Sequence, residues 1–203
     1  MCALVAFAIL AAAYRPLSFL DWLLENALVM LFLATLTLTY RRFALSDTSY
    51  VLLALFLCLH EWGAHYKYSD VPLGEWMKPW LHTTRNSFDR IVHFSYGLLC
   101  SYPLQELVMR TGVRNAWRSI LPVGLILAFS AIYEILEGLM AVLVSPELSN
   151  DFSGLQGDVW DAQKDMSMAG LGSLVAVATI AWLRHRRSVT VTHHSMAMAA
   201  QAK

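Results

Sequence analysis

Charged residues are scarce in this 203-residue sequence, and their scarcity argues against an ordinary soluble domain. Only 15% of the residues are charged and 57% are hydrophobic, whereas a soluble domain carries about 25% charged residues. The mean hydropathy is +0.49. Basic and acidic residues number 15 each, so no net charge recruits nucleic acid or an anionic surface. The composition therefore predicts a protein of the lipid bilayer that does not bind nucleic acid.

The motifs of several common enzyme classes are also absent. The three cysteines, Cys2, Cys58 and Cys100, are widely separated and form no C-x-x-C pair, which argues against disulfides and thiolate metal sites. The sequence has no Gly-rich phosphate loop, no G-x-S-x-G nucleophile elbow and no internal repeat. Nucleotide binding and serine-hydrolase chemistry therefore have no support.

Six apolar runs are candidates for membrane-embedded helices. A spanning helix needs about 20 mostly apolar residues, and a helix satisfies its own backbone hydrogen bonds in lipid. The first run is short for a span and lacks the basic segment that begins a signal peptide. We therefore predict one all-α, polytopic transmembrane helix bundle over residues 1–187, with five clear spans and a short first helix, followed by a disordered cytoplasmic tail over 188–203. The runs are 1–13, 22–40, 48–65, 88–109, 117–144 and 159–183.

Arginines and tryptophans predict how the bundle is oriented. Short connections on the cytoplasmic side of a membrane carry an excess of basic residues. Alternating spans bring most of the arginines to one side, so we predict that both termini are cytoplasmic. The seven tryptophans all lie at helix ends or in a connection, which is typical of the aromatic belts at membrane interfaces. The arginines on that side are Arg41, Arg42, Arg110, Arg114, Arg118, Arg184, Arg186 and Arg187.

Acidic residues and histidines gather toward the opposite, outer leaflet. Residues three or four apart share one face of a helix, so each group points in one direction. Lipid does not solvate a carboxylate, and that direction should be the interior of the bundle. Glu134 and Glu137 lie inside an apolar run, where no helix-end role explains them. The groups are Glu61 with His65, Asp89 with His93, Glu134 with Glu137, and Asp158 with Asp161 and Asp165.

The cost of so many carboxylates predicts a bound cation. Each ionised carboxylate at the centre of a spanning helix costs about 2.5–3.5 kcal/mol, and the nearby basic residues neutralise only part of the set. Neutral imidazole together with carboxylate suits zinc, manganese or iron, so we hypothesise a divalent metal site. The predicted metal ligands are Glu61, His65, Asp89, His93, Asp158, Asp161 and Asp165, the predicted catalytic bases are Glu134 and Glu137, and the predicted supporting residues are Glu25, His60, Arg85, Arg90 and Lys164.

Three functions remain open at this point. A metal-dependent hydrolase of a lipid or envelope substrate would use a carboxylate to accept a proton from metal-bound water. A transporter or proton-coupled permeation protein would place ionisable groups along an ion path through the whole depth of the membrane. A structural or partner-binding protein would use the polar cluster only to fix helix packing. For Asp158 and Asp161, a position in the first turn of a helix is itself favourable and needs no function.

Four sequence runs together resemble the bacterial YjdF-like inner-membrane protein family, across residues 22–183. The resemblance implies a multi-pass protein of the bacterial inner membrane and no particular reaction. A looser similarity is to the alkaline ceramidases, in which His and Asp residues from several helices hold zinc near one leaflet. This chain lacks their full set of histidines and a matching serine. The runs are HEWGAHYKYSDVP from His60, RNSFDRIVHFSYGLL from Arg85, YEILEG from Tyr133 and GDVWDAQKDM from Gly157.

Overall fold

The described part of the chain is entirely helical. The computed structural model describes residues 2–144 and 156–201, which form seven α-helices and contain no strand. The predicted all-α architecture is therefore confirmed, and α4 is an additional helix within the connection that follows α3. The helices are α1 (Cys2–Ala13), α2 (Phe19–Thr39), α3 (Asp47–His65), α4 (Pro72–Leu81), α5 (Phe88–Arg110), α6 (Trp117–Val144) and α7 (Asp161–Gln201).

Local capping residues fix where two of these helices begin. The Ser18 hydroxyl accepts a hydrogen bond from the Asp21 amide at 3.3 Å, and Ser46 does the same for the Ser49 amide at 3.3 Å. A serine in this position satisfies an amide that the helix leaves without a partner. Helix α4 begins with Pro72 in its first turn, where the missing N–H of proline costs nothing. These signals set the starts of α2, α3 and α4.

In the described part of the chain, three helices are long and apolar enough to cross a membrane: Phe19–Thr39, Trp117–Met140 and Asp161–Arg186. Helices α3 and α5, which were also predicted as spans, have 19 and 23 residues but a more polar composition. Both carry several buried polar side chains, and α5 packs against α3, α6 and α7. A helix that lies among other helices does not need a fully apolar surface.

Helices α5 and α7 approach each other very closely. A Cβ atom on Gly97 of α5 would lie 1.9 Å from the carbonyl oxygen of Ala169, and one on Gly172 of α7 would lie 2.1 Å from that of Phe94. Glycine at these positions lets two backbones meet, as small residues do at helix contacts in membranes. The buried hydroxyls of Ser101 and Ser173 are 2.6 Å apart across the same contact.

The helix ends collect into two groups of opposite character. At one end, which we call the basic end, Arg184 donates to the Gln105 side chain at 2.8 Å, and Gln105 donates to the carbonyl of Arg118 at 3.0 Å. The other end, which we call the acidic end, contains the start of α5 with Asp89 and the start of α7 with Asp161. The side of the membrane that each end faces stays a prediction.

The last helix extends beyond its apolar part. Helix α7 continues from Asp161 to Gln201, through a stretch for which the sequence predicts a disordered tail. The apolar part of α7 ends at Arg186, close to the predicted boundary at residue 187. The division of the chain into a transmembrane domain and a tail stays a prediction, and residues 202–203 lie outside the described part.

Candidate functional site

A cavity of about 380 Å³ lies among α2, α3, α5, α6 and α7. Its size falls within the range of about 300–1,000 Å³ that is usual for small-ligand sites. Apolar side chains such as Phe32, Phe56, Leu57, Val92 and Phe129 form much of the wall. Polar groups converge on the rest of the wall, and several of them are predicted site residues. The polar lining consists of Glu25, His60, Lys67, Tyr68, Asp89, His93, Ser130, Tyr133, Glu137, Asp161 and Asp165.

Two arginines of the α5 region neutralise carboxylates of α5 and α7. Arg85 pairs with Asp89 and lies 2.5 Å from Asp161 Oδ1. Arg90 also lies 2.5 Å from Asp161 Oδ1 and pairs with Asp165, and it donates to the Asp161 carbonyl at 2.9 Å. All five side chains are at least four-fifths buried. Because buried charges need partners, this network ties the start of α7 to the start of α5.

Asp158 lies at the edge of this network, outside the membrane-spanning segment of α7. The Lys164 ammonium donates to Asp158 Oδ2 at 2.7 Å, and Arg90 Nη2 lies 3.3 Å from the same oxygen. The hydrogen bond from Lys164 holds the pKa of Asp158 below its usual value. Asp158 is thus fully engaged with cations of the protein, and its predicted role as a metal ligand gains no support from this arrangement.

Three other side chains form a better candidate for a metal centre. One ligand atom from each of His93, Glu134 and Asp165 lies within 4.8 Å of the other two, and His93 Nε2 is 3.3 Å from Glu134 Oε1. Among the described residues, Asp165 Oδ1 is buried without a hydrogen-bond partner. A second group, which Asp89 and Asp161 form with Asp165, is already neutralised by arginines. The first group therefore has more capacity for a cation.

Glu61 and His65 lie away from this group and connect α3 to α2 and α1. Glu61 Oε2 accepts hydrogen bonds from Trp22 Nε1 at 3.3 Å and Asn26 Nδ2 at 3.5 Å. His65 Nδ1 is 2.9 Å from the Ala12 carbonyl oxygen. The sequence spacing correctly puts the two residues on one helix face, but that face meets α1 and α2 instead of α5 and α7. The predicted ligand set is thus divided between two places.

The wall of the cavity formed by α2 and α6 contains the remaining predicted residues. The Tyr133 hydroxyl donates to Glu25 Oε2 at 2.6 Å and joins the two helices. Glu137 lines the cavity one helical turn beyond Tyr133, whereas Glu134 belongs to the candidate metal group. Of the two predicted bases, Glu137 is the one whose carboxylate remains available for proton transfer at this wall.

Four polar residues of the cavity lining were not predicted from the sequence: Lys67, Tyr68, Ser130 and Tyr133. Tyr68 OH is 2.6 Å from His60 Nδ1, and burial raises the pKa of the Tyr68 phenol well above its usual value. Ser130 is 2% exposed and lines the cavity. Ser130 precedes Tyr133, Glu134 and Glu137 by three, four and seven residues, so all four lie on one face of α6. This spacing could have been recognised in the sequence. Tyr68 follows the end of α3, where helical spacing carries no information.

Comparisons with known proteins agree with a membrane protein. A family model described as predicted membrane protein (DUF2238) matches residues 1–187. The inner membrane protein YjdF of Escherichia coli (strain K12) is 35% identical over 164 residues, which are 80% of this chain and 78% of that protein. No solved structure matches the chain. The chain therefore belongs to the DUF2238 family of predicted membrane proteins.

Proposed function

We propose that this chain is a metal-dependent membrane hydrolase with its metal centre at His93, Glu134 and Asp165. The observation that carries the proposal is the convergence of three ligand atoms within 4.8 Å beside a cavity of about 380 Å³. One imidazole and two carboxylates form a ligand set that suits zinc, manganese or iron. Catalytic sites of this kind have three protein ligands and leave a position for water or substrate.

The residues around the cavity supply the other parts of a hydrolytic reaction. A divalent metal held by His93, Glu134 and Asp165 would lower the pKa of a water molecule toward neutrality. Glu137 would accept a proton from the attacking water, whose oxygen would form a bond to the carbonyl carbon of an ester or amide. The bond from this carbon to the leaving group would break, and Glu137 would return the proton to the leaving group. The products are a carboxylic acid and an alcohol or amine.

The predicted topology would place this centre near the outer leaflet of the inner membrane. In this proposal α2, α3, α5, α6 and α7 span the membrane, α1 enters it as a short sixth helix, and both termini are cytoplasmic. The collection of Arg110, Arg118 and Arg184 at one end supports this orientation. The substrate would then be a lipid or an envelope-associated molecule that reaches the cavity from the periplasmic side.

Cysteine accessibility tests this topology. In a variant without the native cysteines, Ser69→Cys should react with a membrane-impermeant maleimide in intact cells, because the connection between α3 and α4 would be periplasmic. Arg114→Cys, between α5 and α6, should react only after the cells are permeabilised. The opposite pattern of labelling would reverse the orientation, and labelling of both positions from outside would contradict the alternation of spans.

Metal titration of the purified protein tests the centre itself. After treatment with a chelator, the wild-type protein should bind one zinc or manganese ion and unfold at a higher temperature in its presence. His93→Gln should weaken this binding by more than about tenfold, because loss even of an outer-shell partner costs that much. Elemental analysis and calorimetric titration measure both quantities. Unchanged stability with every divalent metal would contradict the proposal.

Matched variants separate metal binding from catalysis. Glu61→Gln removes another buried glutamate outside the centre, so it should keep the metal affinity of the wild type. Glu137→Gln should also bind the metal but should hydrolyse a fluorogenic acyl ester about 100-fold or more slowly, as expected for loss of a general base. Equal rates for Glu137→Gln and the wild type would remove Glu137 from the mechanism.

A structural function is the second candidate, and the contacts of Arg90 favour it. The Arg90 guanidinium interacts with Asp158, Asp161 and Asp165, so much of the acidic cluster is satisfied by the protein itself. If the cluster only fixes helix packing, Asp161→Asn will lower the yield of folded protein and no metal will change its stability. The metal titration therefore distinguishes the two candidates.

A further inference from the structure

The cavity opens toward the lipid between α2 and α6. Leu31 of α2 and Phe129 and Ile132 of α6 all line the cavity, yet they are 64%, 50% and 51% exposed. Helix α2 packs against α3, and the Glu25–Tyr133 hydrogen bond is the described side-chain bond that joins α2 to α6. A cavity wall that is both apolar and accessible from the side is open to the hydrocarbon region of a bilayer.

Polar and apolar groups are separated along this opening. Glu25 of α2 and Glu137 of α6 lie near the acidic end, whereas Phe32 and Phe129 lie one to two helical turns deeper. A lipid of the same leaflet has the same arrangement, with its polar head at the interface and its chain toward the membrane centre. A molecule with one hydrocarbon chain can therefore enter the cavity from this leaflet in its normal orientation, with its polar head near Glu25 and Glu137 and its chain toward the membrane centre.

Two hydrogen-bonding groups of the cavity wall, one on α6 and one near the end of α3, lack a protein partner among the described residues. Among the described side chains, Ser130 Oγ and His60 Nε2 are buried without a hydrogen-bond partner, and both residues line the cavity. Ser130 is 2% exposed and His60 is 6% exposed. Because buried polar atoms are normally paired, these two atoms are suited to the polar atoms of a ligand near the junction of its head and chain.

The charged and acidic residues around the opening determine which charge the head group of a ligand can have. Asp89, Asp161 and Asp165 are paired with Arg85 and Arg90. Lys67, which follows α3, also lines the cavity, and its Nζ atom lies 3.5 Å from Asp21 Oδ2. Glu25 and Glu137 are the acidic side chains at the mouth of the cavity. An anionic head group would meet these two acids, while the described cations nearby are already engaged with aspartates, and burying a charge without a partner is costly.

We infer that the cavity binds a single-chain amphiphile with an uncharged or positively charged head group, which enters from the lipid between α2 and α6. Its chain contacts Leu31, Phe129 and Ile132, and its head contacts Glu25 and Glu137. The inference rests on the proposed function only in one respect: the bound amphiphile would be the substrate of the proposed hydrolysis in this cavity. Binding itself requires neither the metal nor turnover.

Photolabelling of metal-free protein in phosphatidylcholine nanodiscs tests this inference. The probe is a single alkyl chain with a diazirine group and a trimethylammonium head. Mass spectrometry that locates the labelled residue should find several-fold more label on Leu31 and Ile132 than on Ile135, which is 69% exposed but does not line the cavity. A probe with a carboxylate head should label the cavity about tenfold less.

Two matched tryptophan substitutions on α6 provide the control. Ile132→Trp fills the opening and should reduce labelling of Phe32 at least about fivefold, because packed interiors have no room for a second chain. Ile135→Trp adds the same side chain beside the cavity and should leave labelling unchanged. Equal labelling of all lipid-facing positions, or equal effects of the two tryptophans, would overturn the inference. Loss of metal binding or hydrolysis with labelling intact would overturn only the proposed reaction.

Discussion

Arg90→Met is expected to lower the stability of the purified protein by about 3–5 kcal/mol, the usual cost of removing one partner from a buried ion pair. The substitution leaves Asp161 and Asp165 buried beside a methionine and removes the donor to the Asp161 carbonyl. For a chain of this size the unfolding midpoint should fall by on the order of 10 °C. Size-exclusion chromatography of heated samples, detected by tryptophan fluorescence, measures the midpoint.

Two further variants show whether the loss comes from unpaired carboxylates. Arg110→Met removes a more exposed arginine that pairs with Glu106 at the basic end, and exposed pairs contribute about 1 kcal/mol or less. Adding Asp165→Asn to Arg90→Met should recover part of the lost stability, because Asp165 is the carboxylate that loses its arginine, whereas Asp161 keeps Arg85. If Arg90→Met melts like the wild type, the carboxylates are neutralised by something other than Arg90, and the structural candidate fails.

Gly97→Ala is expected to disrupt the contact between α5 and α7. The new Cβ atom would lie 1.9 Å from the Ala169 carbonyl oxygen, which belongs to backbone and cannot move aside without moving α7. Overpacking usually costs about 1–3 kcal/mol, and a collision with backbone should reach or exceed the top of that range. The yield of monodisperse protein and its unfolding midpoint should both fall.

Gly124→Ala is the matched control for this substitution. Gly124 is on α6, and a Cβ atom there would have no neighbour within 4 Å. Because alanine favours a helix over glycine by about 1 kcal/mol, this variant should be as stable as the wild type or slightly more stable. If Gly97→Ala is as stable as Gly124→Ala, the backbones of α5 and α7 are farther apart than the 1.9 Å Cβ distance implies.

The sequence predicts the positions of the helices well because two strong signals coincide. Apolar runs end where tryptophans and charged residues begin, and Ser18 and Ser46 cap the helices that follow them. The predicted spans at α3 and α5 are not recognised by hydropathy in the structure, since these helices contain several buried polar residues. Helix α4 lies in the long connection after α3, and its exposed Trp76 and Trp80 are typical of a helix at the membrane interface.

The candidate site is predicted less completely because helical spacing defines a face but not its neighbour. Glu61 with His65 and Asp89 with His93 have the same i, i+4 spacing, yet the first pair faces α1 and α2. Arg90 was predicted as a supporting residue, and its interactions with two different turns of α7 depend on how the helices cross. The contact of Tyr68 with His60 also depends on how the chain turns after α3.

The polar contacts that hold α2 to the rest of the bundle lie close to the start of this helix. In the described part of the chain, its hydrogen bonds and ion pairs to other elements all arise between Asp21 and Asn26. The turns from there to Thr39 contact the bundle through apolar side chains. Segments held by few polar bonds open more readily than tightly packed ones, so α2 is expected to pivot about its first turns while α5 and α7 stay rigid. The width of the gap beside α6 would then fluctuate with the pressure and thickness of the surrounding bilayer.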